Sequence, residues 1–213
     1  HDPLLLVHAD GVQLVVTHHP LLFKPVKSLD YADPTQGVAM KLVKNGISLY
    51  AAHTSFDIAD GGMNDVLASL LGLEDVLPAG EEGIVRVGSL PEPCMGTQMI
   101  ERVKKALSIT HVRATQGFEG RVFRVAVVGG SGGEYVAEAK RAGAQAFVTG
   151  DAKHHEMIEA QAMGVLLIEA GHFHTERCFV DAIFDRLQSR VNALQYQLGL
   201  KMAECMQAPS EIV

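Results

Sequence analysis

At four places in this chain an apolar run of strand type ends in histidine or acid. "VVTHHPLLF", residues 15–23, delivers His18 and His19 just before a proline. His53 and Asp57 follow the run that ends near residue 52, Asp151 follows "AFVTG", and His172 with Glu176 follows "VLLIEAG". Chance placement of 10 histidines would seldom produce such a pattern. In open parallel sheets ligands bind beyond the carboxyl ends of the strands, where loops and helix N-termini converge. Neutral imidazole and carboxylate oxygen are ligands for divalent Zn, Mn, Fe, Co or Ni, and one carboxylate can bridge two ions. Even three of these four histidines with two of these three acids exceed the needs of one open catalytic site. They suit two ions roughly 3.5–4 Å apart with a water between them as nucleophile.

Elements of α/β type would position these groups. Strand patterns fall near 12–17, 47–52, 84–88, 122–128, 144–149 and 165–170; helical patterns fall near 35–45, 63–71, 97–107, 133–142, 153–163 and 175–197. Gly46, Gly72, Gly143 and Gly164 stand where helix C-caps belong. This alternation predicts α/β layers with mainly parallel sheets. Phe179, Ala182, Ile183 and Leu187 repeat at helical spacing, so a helix is expected from near Thr175, with His172 in the preceding turn and Glu176 in its first turn.

An internal repeat divides the chain. "ADGVQLVVT" (9–17) matches "RAGAQAFVT" (141–149), and "NGISLYAAH" (45–53) matches "MGVLLIEAGH" (163–172) with one extra residue. We read this as duplication, giving two similar α/β lobes facing a shared dinuclear metal cleft. The expected division is a first lobe over 1–78, a connecting segment with a helix over 79–120, and a second lobe over 121–213. The Pro- and Gly-rich stretch 77–96 is the expected seam.

Composition limits the function classes. With 213 residues and 47% hydrophobic content the chain can bury a sizeable core. A net charge of −7 argues against a nucleic-acid partner, which calls for a basic face. Cys94, Cys178 and Cys205 have no CxxC spacing, which suits reduced thiols in the cytoplasm. No apolar run reaches membrane-spanning length, and the first residues lack a signal-peptide pattern. Since the chain does not begin with Met, an N-terminal piece is expected to be missing.

Other motifs carry less. "VVGGSGGEY" (127–135) follows a strand, as a phosphate loop would, but it fits neither GxGxxG nor the P-loop lysine pattern; a tight turn near the cleft is the favoured alternative. His154 and His174 read as solvated or rim residues. "EDVLPAGEEG" (74–83) reads as an acidic surface, and the Met-rich tail from residue 201 reads as frayed helix or a packing extension.

"VVTHHPLLF", "HTSFDIADGGMNDVLASLLGL", "VAVVGGSGGEYVAEAKRAGAQAFVTGDAKHHEMIEA" and "AGHFHTER" together resemble the Nif-three-like dinuclear metal-centre family, also named GTP cyclohydrolase 1 type 2 homologues. The likeness runs in order from about Gly11 to Leu187 and is to the short form without an inserted domain; the usual N-terminal strand and helix are lacking. The resemblance implies metal ligands at His18, His19, Asp57, His172 and Glu176, with Glu176 bridging two divalent ions. It implies catalytic or ligand-orienting roles for His53 and His155. It also implies a small-molecule substrate, a nucleotide if the family name holds, and a hexameric homo-oligomeric ring. The implied activity is GTP ring opening with formate release; a metal-dependent phosphoesterase or a non-catalytic metal scaffold are the alternatives.

Overall fold

The βαβ patterns read from the sequence form in the computed structural model, which describes residues 11–203, 208 and 209. The chain divides into two compact units, with the main break between Phe56 and Asp57. In the first unit β1 (Leu14–Thr17) and β2 (Ser48–Ala51) pair in parallel, joined through helix α1 (Pro34–Lys44). Helix α1 starts there because the Asp33 carboxylate accepts the Gln36 N–H at 2.8 Å and Pro34 occupies the first turn, where a missing N–H costs no helical bond. Lys41 and Lys44 lie in its last turn, at the negative end of the helix dipole.

The second unit begins inside the short helix α2 (Thr54–Ile58), followed by α3 (Met63–Leu70). Its sheet has six strands in the spatial order β3 (Glu74–Ala79), β4 (Val85–Met95), β6 (Arg121–Ser131), β7 (Ala146–Asp151), β8 (Leu166–Glu169) and β5 (Arg113–Ala114). The three central strands β6, β7 and β8 are parallel, and the outer pairings are antiparallel. Buried parallel strands need apolar groups on both faces, which explains the runs "VAVV" and "AFV". Val125, Val127, Val148 and Ile168 pack with Leu67 of α3 and with Met99 and Val103 of α4 (Gly96–Leu107). Ala126, Val128, Phe147 and Leu167 pack with Val136 and Ala139 of α5 (Val136–Arg141) and Ala160 of α6 (His154–Ala162).

Gly46, Gly72, Gly143 and Gly164 do follow helix ends, with φ between 64° and 84°. The stretch 77–96 carries much of the β3–β4 hairpin within the second unit. Pro78 stands in the edge strand β3, which pairs on one side only, the place in a sheet where a residue without an N–H is tolerated. The acidic stretch 74–83, expected as surface alone, thus begins as a strand, although most of its residues are exposed. The single helix expected from near Thr175 is two helices, α7 (His172–Glu176) and α8 (Phe179–Ala193). His172 therefore opens a helix instead of preceding one. Gly171, at φ 88°, turns the chain directly from β8 into α7, and its carbonyl accepts the Thr175 N–H at 3.1 Å. Cys205 and most of the tail lie outside the described residues.

The sequence repeat has a counterpart in the backbone hydrogen bonds. Leu14 faces Ser48 as Ala146 faces Leu166, and Thr17 faces Ala51 as Thr149 faces Glu169, in the register of the sequence repeat. The Ser48 N–H bonds the Gln13 carbonyl and the Leu166 N–H the Gln145 carbonyl, both at 2.9 Å. Beyond the strands, Ala52 to Thr17 and Ala170 to Thr149 are both 2.8 Å. Among the described residues no helix is long and apolar enough to cross a membrane.

Candidate metal centre

In the first unit the chain leaves β1 at Thr17, whose hydroxyl donates to the His19 carbonyl at 2.8 Å and folds the next residues into a turn. Two successive imidazoles are thereby held beside the end of β2. The His18 ring lies 4.8 Å from the His19 ring and 5.2 Å from the His53 ring. One nitrogen from each of these histidines lies within 4.8 Å of the others. His18 is buried, and its Nδ1 stands 3.3 Å from the Ala52 carbonyl. A carbonyl only accepts, so Nδ1 carries the proton and Nε2 is left as the lone-pair donor a metal requires.

In the second unit His172 and Glu176 lie one helical turn apart on α7, with Nε2 3.1 Å from Oε1. Two ligands on a tetrahedral ion, each about 2.1 Å from it, are about 3.4 Å apart, so this donor pair fits a cation. The other nitrogen, Nδ1, is 2.5 Å from Asp151 Oδ2 at the end of β7. A carboxylate behind a histidine fixes its tautomer and raises its basicity as a ligand. Asp57 is buried on α2. Burial, with the charges of Asp181, Glu176 and Asp57, pushes the Cys178 thiol up to about 11. That thiol therefore stays protonated at neutral pH, and it reports that Asp57 and Glu176 both act on one point of this unit.

The duplication pairs these residues. His53 and Asp57 are four apart, as are His172 and Glu176; His19 stands two residues beyond Thr17, as Asp151 stands two beyond Thr149. The family model described as Duf34/NIF3 (NGG1p interacting factor 3) matches residues 6–209. The chain belongs to this family. A Nostoc sp. protein named "GTP cyclohydrolase 1 type 2 homolog" is 37% identical over 198 residues, which cover 88% of this chain and 75% of that protein. "Protein NIF3 homolog" of Schizosaccharomyces pombe is 31% identical over 193 residues, 84% of this chain and 68% of that one. The crystal structure of a Bacillus cereus protein related to NIF3 matches with a TM-score of 0.89 at 21% identity, covering 100% of this chain and 86% of that chain, a likeness of fold.

For this NIF3-family chain the glycine-rich stretch is the end of β6 followed by a short 3-10 helix (Gly133–Tyr135) against α7, where a tight turn was expected. Its amides are already used: Gly129 N–H goes to Asn64 Oδ1 at 2.8 Å, Gly130 to Thr175 Oγ1 at 3.1 Å, and Gly132 to Thr149 Oγ1 at 3.0 Å. An anion would have to displace buried side chains to reach them. His155, at the start of α6, has its imidazole 73% exposed, with Nε2 3.9 Å from Glu156 Oε1. His154 is exposed and His174 half-buried. Asp151 was visible in the sequence only as one strand-end acid. Its pairing with His172, 21 residues later, follows from the adjacency of β7 and β8.

The hydrogen bond to Glu176 raises the His172 imidazole to about 9; burial opposes this and Asp151 adds to it. In the metal-free protein this cluster contributes stability that is fully present below the ordinary value of 6.5 and is lost as pH rises through about 9. Melting curves in chelator are therefore expected to fall across that window, and His172→Ala is expected to flatten the dependence.

Proposed function

We propose that this chain is a metal-dependent hydrolase of the GTP cyclohydrolase 1 type 2 kind, holding two divalent ions with His18, His19, Asp57, His172 and Glu176. The ions would supply Lewis acidity and an activated water for attack on an electrophilic carbon or phosphorus. The observation that carries this reading is the His172–Glu176 donor pair at 3.1 Å, backed by Asp151. The name of the Nostoc relative supports GTP as the first substrate to try. Glu176 is assigned the bridging carboxylate, and His53 and His155 are the candidates for moving protons, since imidazole is the side chain most often used as a general acid or base. The resemblance noted above supports a small-molecule substrate and a cytoplasmic homo-oligomer.

Asp151 orients His172 in this reading. Asp151→Asn keeps the shape but removes the charge behind the imidazole, so metal affinity is expected to fall about 10–100-fold, as read by calorimetric titration. Unchanged affinity would remove Asp151 from the account.

The clustering of His53 with His18 and His19 supports a second reading, in which His53 is another ligand and the protein is a metal-binding scaffold or reservoir. Formate and phosphate release from GTP, measured after metal reconstitution, separates the two. Formate that disappears with chelator is the expected result; phosphate alone would indicate a phosphoesterase. Metal uptake with neither product would leave the scaffold.

A further inference from the structure

Thr175 is fully buried on helix α7, and it is the residue next to Glu176. Its hydroxyl lies 2.9 Å from the His172 carbonyl and 3.2 Å from the Gly171 carbonyl, so its single proton is directed back into its own turn. The oxygen's lone pair accepts the Gly130 N–H at 3.1 Å. On the other side of the same residue, the Gly130 carbonyl accepts the Thr149 hydroxyl at 3.2 Å. Thr149 is also fully buried. Gly130 is thus held through both its polar backbone groups by threonines from two different elements.

What Gly130 does in return concerns the carboxylate. A Cβ at this residue would collide with Glu176 Oε1 and stand 3.4 Å from His172 Cε1. The side-chain-free face of Gly130 is therefore the floor on which the Glu176 carboxylate lies. Its φ of 63° is a second reason that position takes glycine. Gly150 is equally tight, since a Cβ there would meet the Gly130 carbonyl, the Thr175 hydroxyl and the His172 backbone. Metal sites lose affinity steeply when groups behind the ligands shift, because the ligand atoms must be held in place before the ion arrives.

We propose that Thr175 is a positioning residue for Glu176, with its hydroxyl setting the Gly130 floor that aims the carboxylate, and that Thr149 acts in the same way from the far side. This inference rests on the metal reading above. It assigns a metal-tuning role to two threonines that touch no ion.

The test uses the full chain stripped of metal and titrated with Co2+, followed by calorimetry and by the visible spectrum of the bound ion. Thr175→Val keeps the shape and deletes the hydroxyl; its Co2+ affinity is expected to fall about 10–100-fold with a changed spectrum. Thr175→Ser, which restores the hydroxyl, is expected to recover most of the affinity and the wild-type spectrum. A folded Thr175→Val protein with wild-type affinity and spectrum would overturn the proposal, as would a Thr175→Ser protein as impaired as the valine variant. If Thr175→Val does not fold, Thr149→Val makes the same test from outside α7. A shifted spectrum supports the proposal, and an unshifted one overturns it. A wild-type protein that takes up no Co2+ would overturn the metal reading itself, whereas loss of Co2+ in Glu176→Gln but not in the threonine variants would overturn only this inference.

Discussion

Glu176→Gln is expected to bind divalent cations at least about 100-fold more weakly than the wild type, a larger loss than that for a residue behind a ligand. The substitution changes one oxygen to an amide nitrogen and preserves volume, so the packing against Gly130 is kept while the charge is lost. The side chain is only 11% exposed and its Oε1 lies 3.1 Å from His172 Nε2, which leaves little room for water to replace the lost ligand. Without the carboxylate the His172 imidazole also loses the largest influence holding its pKa near 9. Calorimetric titration measures the affinity, and a melting curve in chelator checks that the fold survives. Equal affinity in the two proteins would remove Glu176 from the ligand set.

Arg86→Met is expected to destabilise the protein by about 3–5 kcal/mol, because it leaves partners of a buried cation without their donor. The Arg86 side chain is 2% exposed. Its Nε meets Asp65 Oδ1 at 2.5 Å, its guanidinium donates to the Ile58 carbonyl at 2.6 Å, and it also reaches the Gly83 carbonyl. Asp65 in turn accepts the Gly61 N–H at 2.7 Å, so one guanidinium ties the loop after α2 to the β3–β4 turn. Methionine fills much of the volume and restores none of these bonds. A fall in melting temperature of roughly 10 °C is the expected readout, and a fall of less than about 2 °C would show that this pair does not hold the loop. Because Ile58 follows Asp57 directly, weaker metal binding is expected to accompany the loss of stability.

Much of the fold was legible because its signals are local. Glycine at Gly46, Gly72, Gly143 and Gly164 marks helix ends through a backbone angle that other residues rarely adopt, and the runs "VAVV" and "AFV" mark strands covered on both faces. The sequence repeat was legible for the same reason, and the strand registers of β1–β2 and β7–β8 correspond in its alignment. Strand β3 was missed because its acids and Pro78 resemble a loop; an edge strand tolerates both. The break between α7 and α8 was missed because Phe179, Ala182, Ile183 and Leu187 are periodic only from the second helix onward.

Within the site, ligand chemistry was easier to read than ligand support. Histidine and carboxylate at strand ends identify themselves by residue type. Thr149, Thr175 and Asn64 do not, since their roles arise only when α3, β7 and α7 close around the glycine-rich end of β6. Asp151 falls between these cases: its position after Thr149 echoes that of His19 after Thr17, yet only the sheet order reveals its partner.

In the proposed function, His18, His19, Asp57, His172 and Glu176 hold two divalent ions. The most direct test is elemental analysis of the wild-type protein and of Glu176→Gln after identical reconstitution and dialysis. About two ions per wild-type chain and fewer in the variant are expected, as a site that uses a bridging carboxylate requires. No bound metal in the wild type, or two ions retained in both proteins, would contradict this assignment.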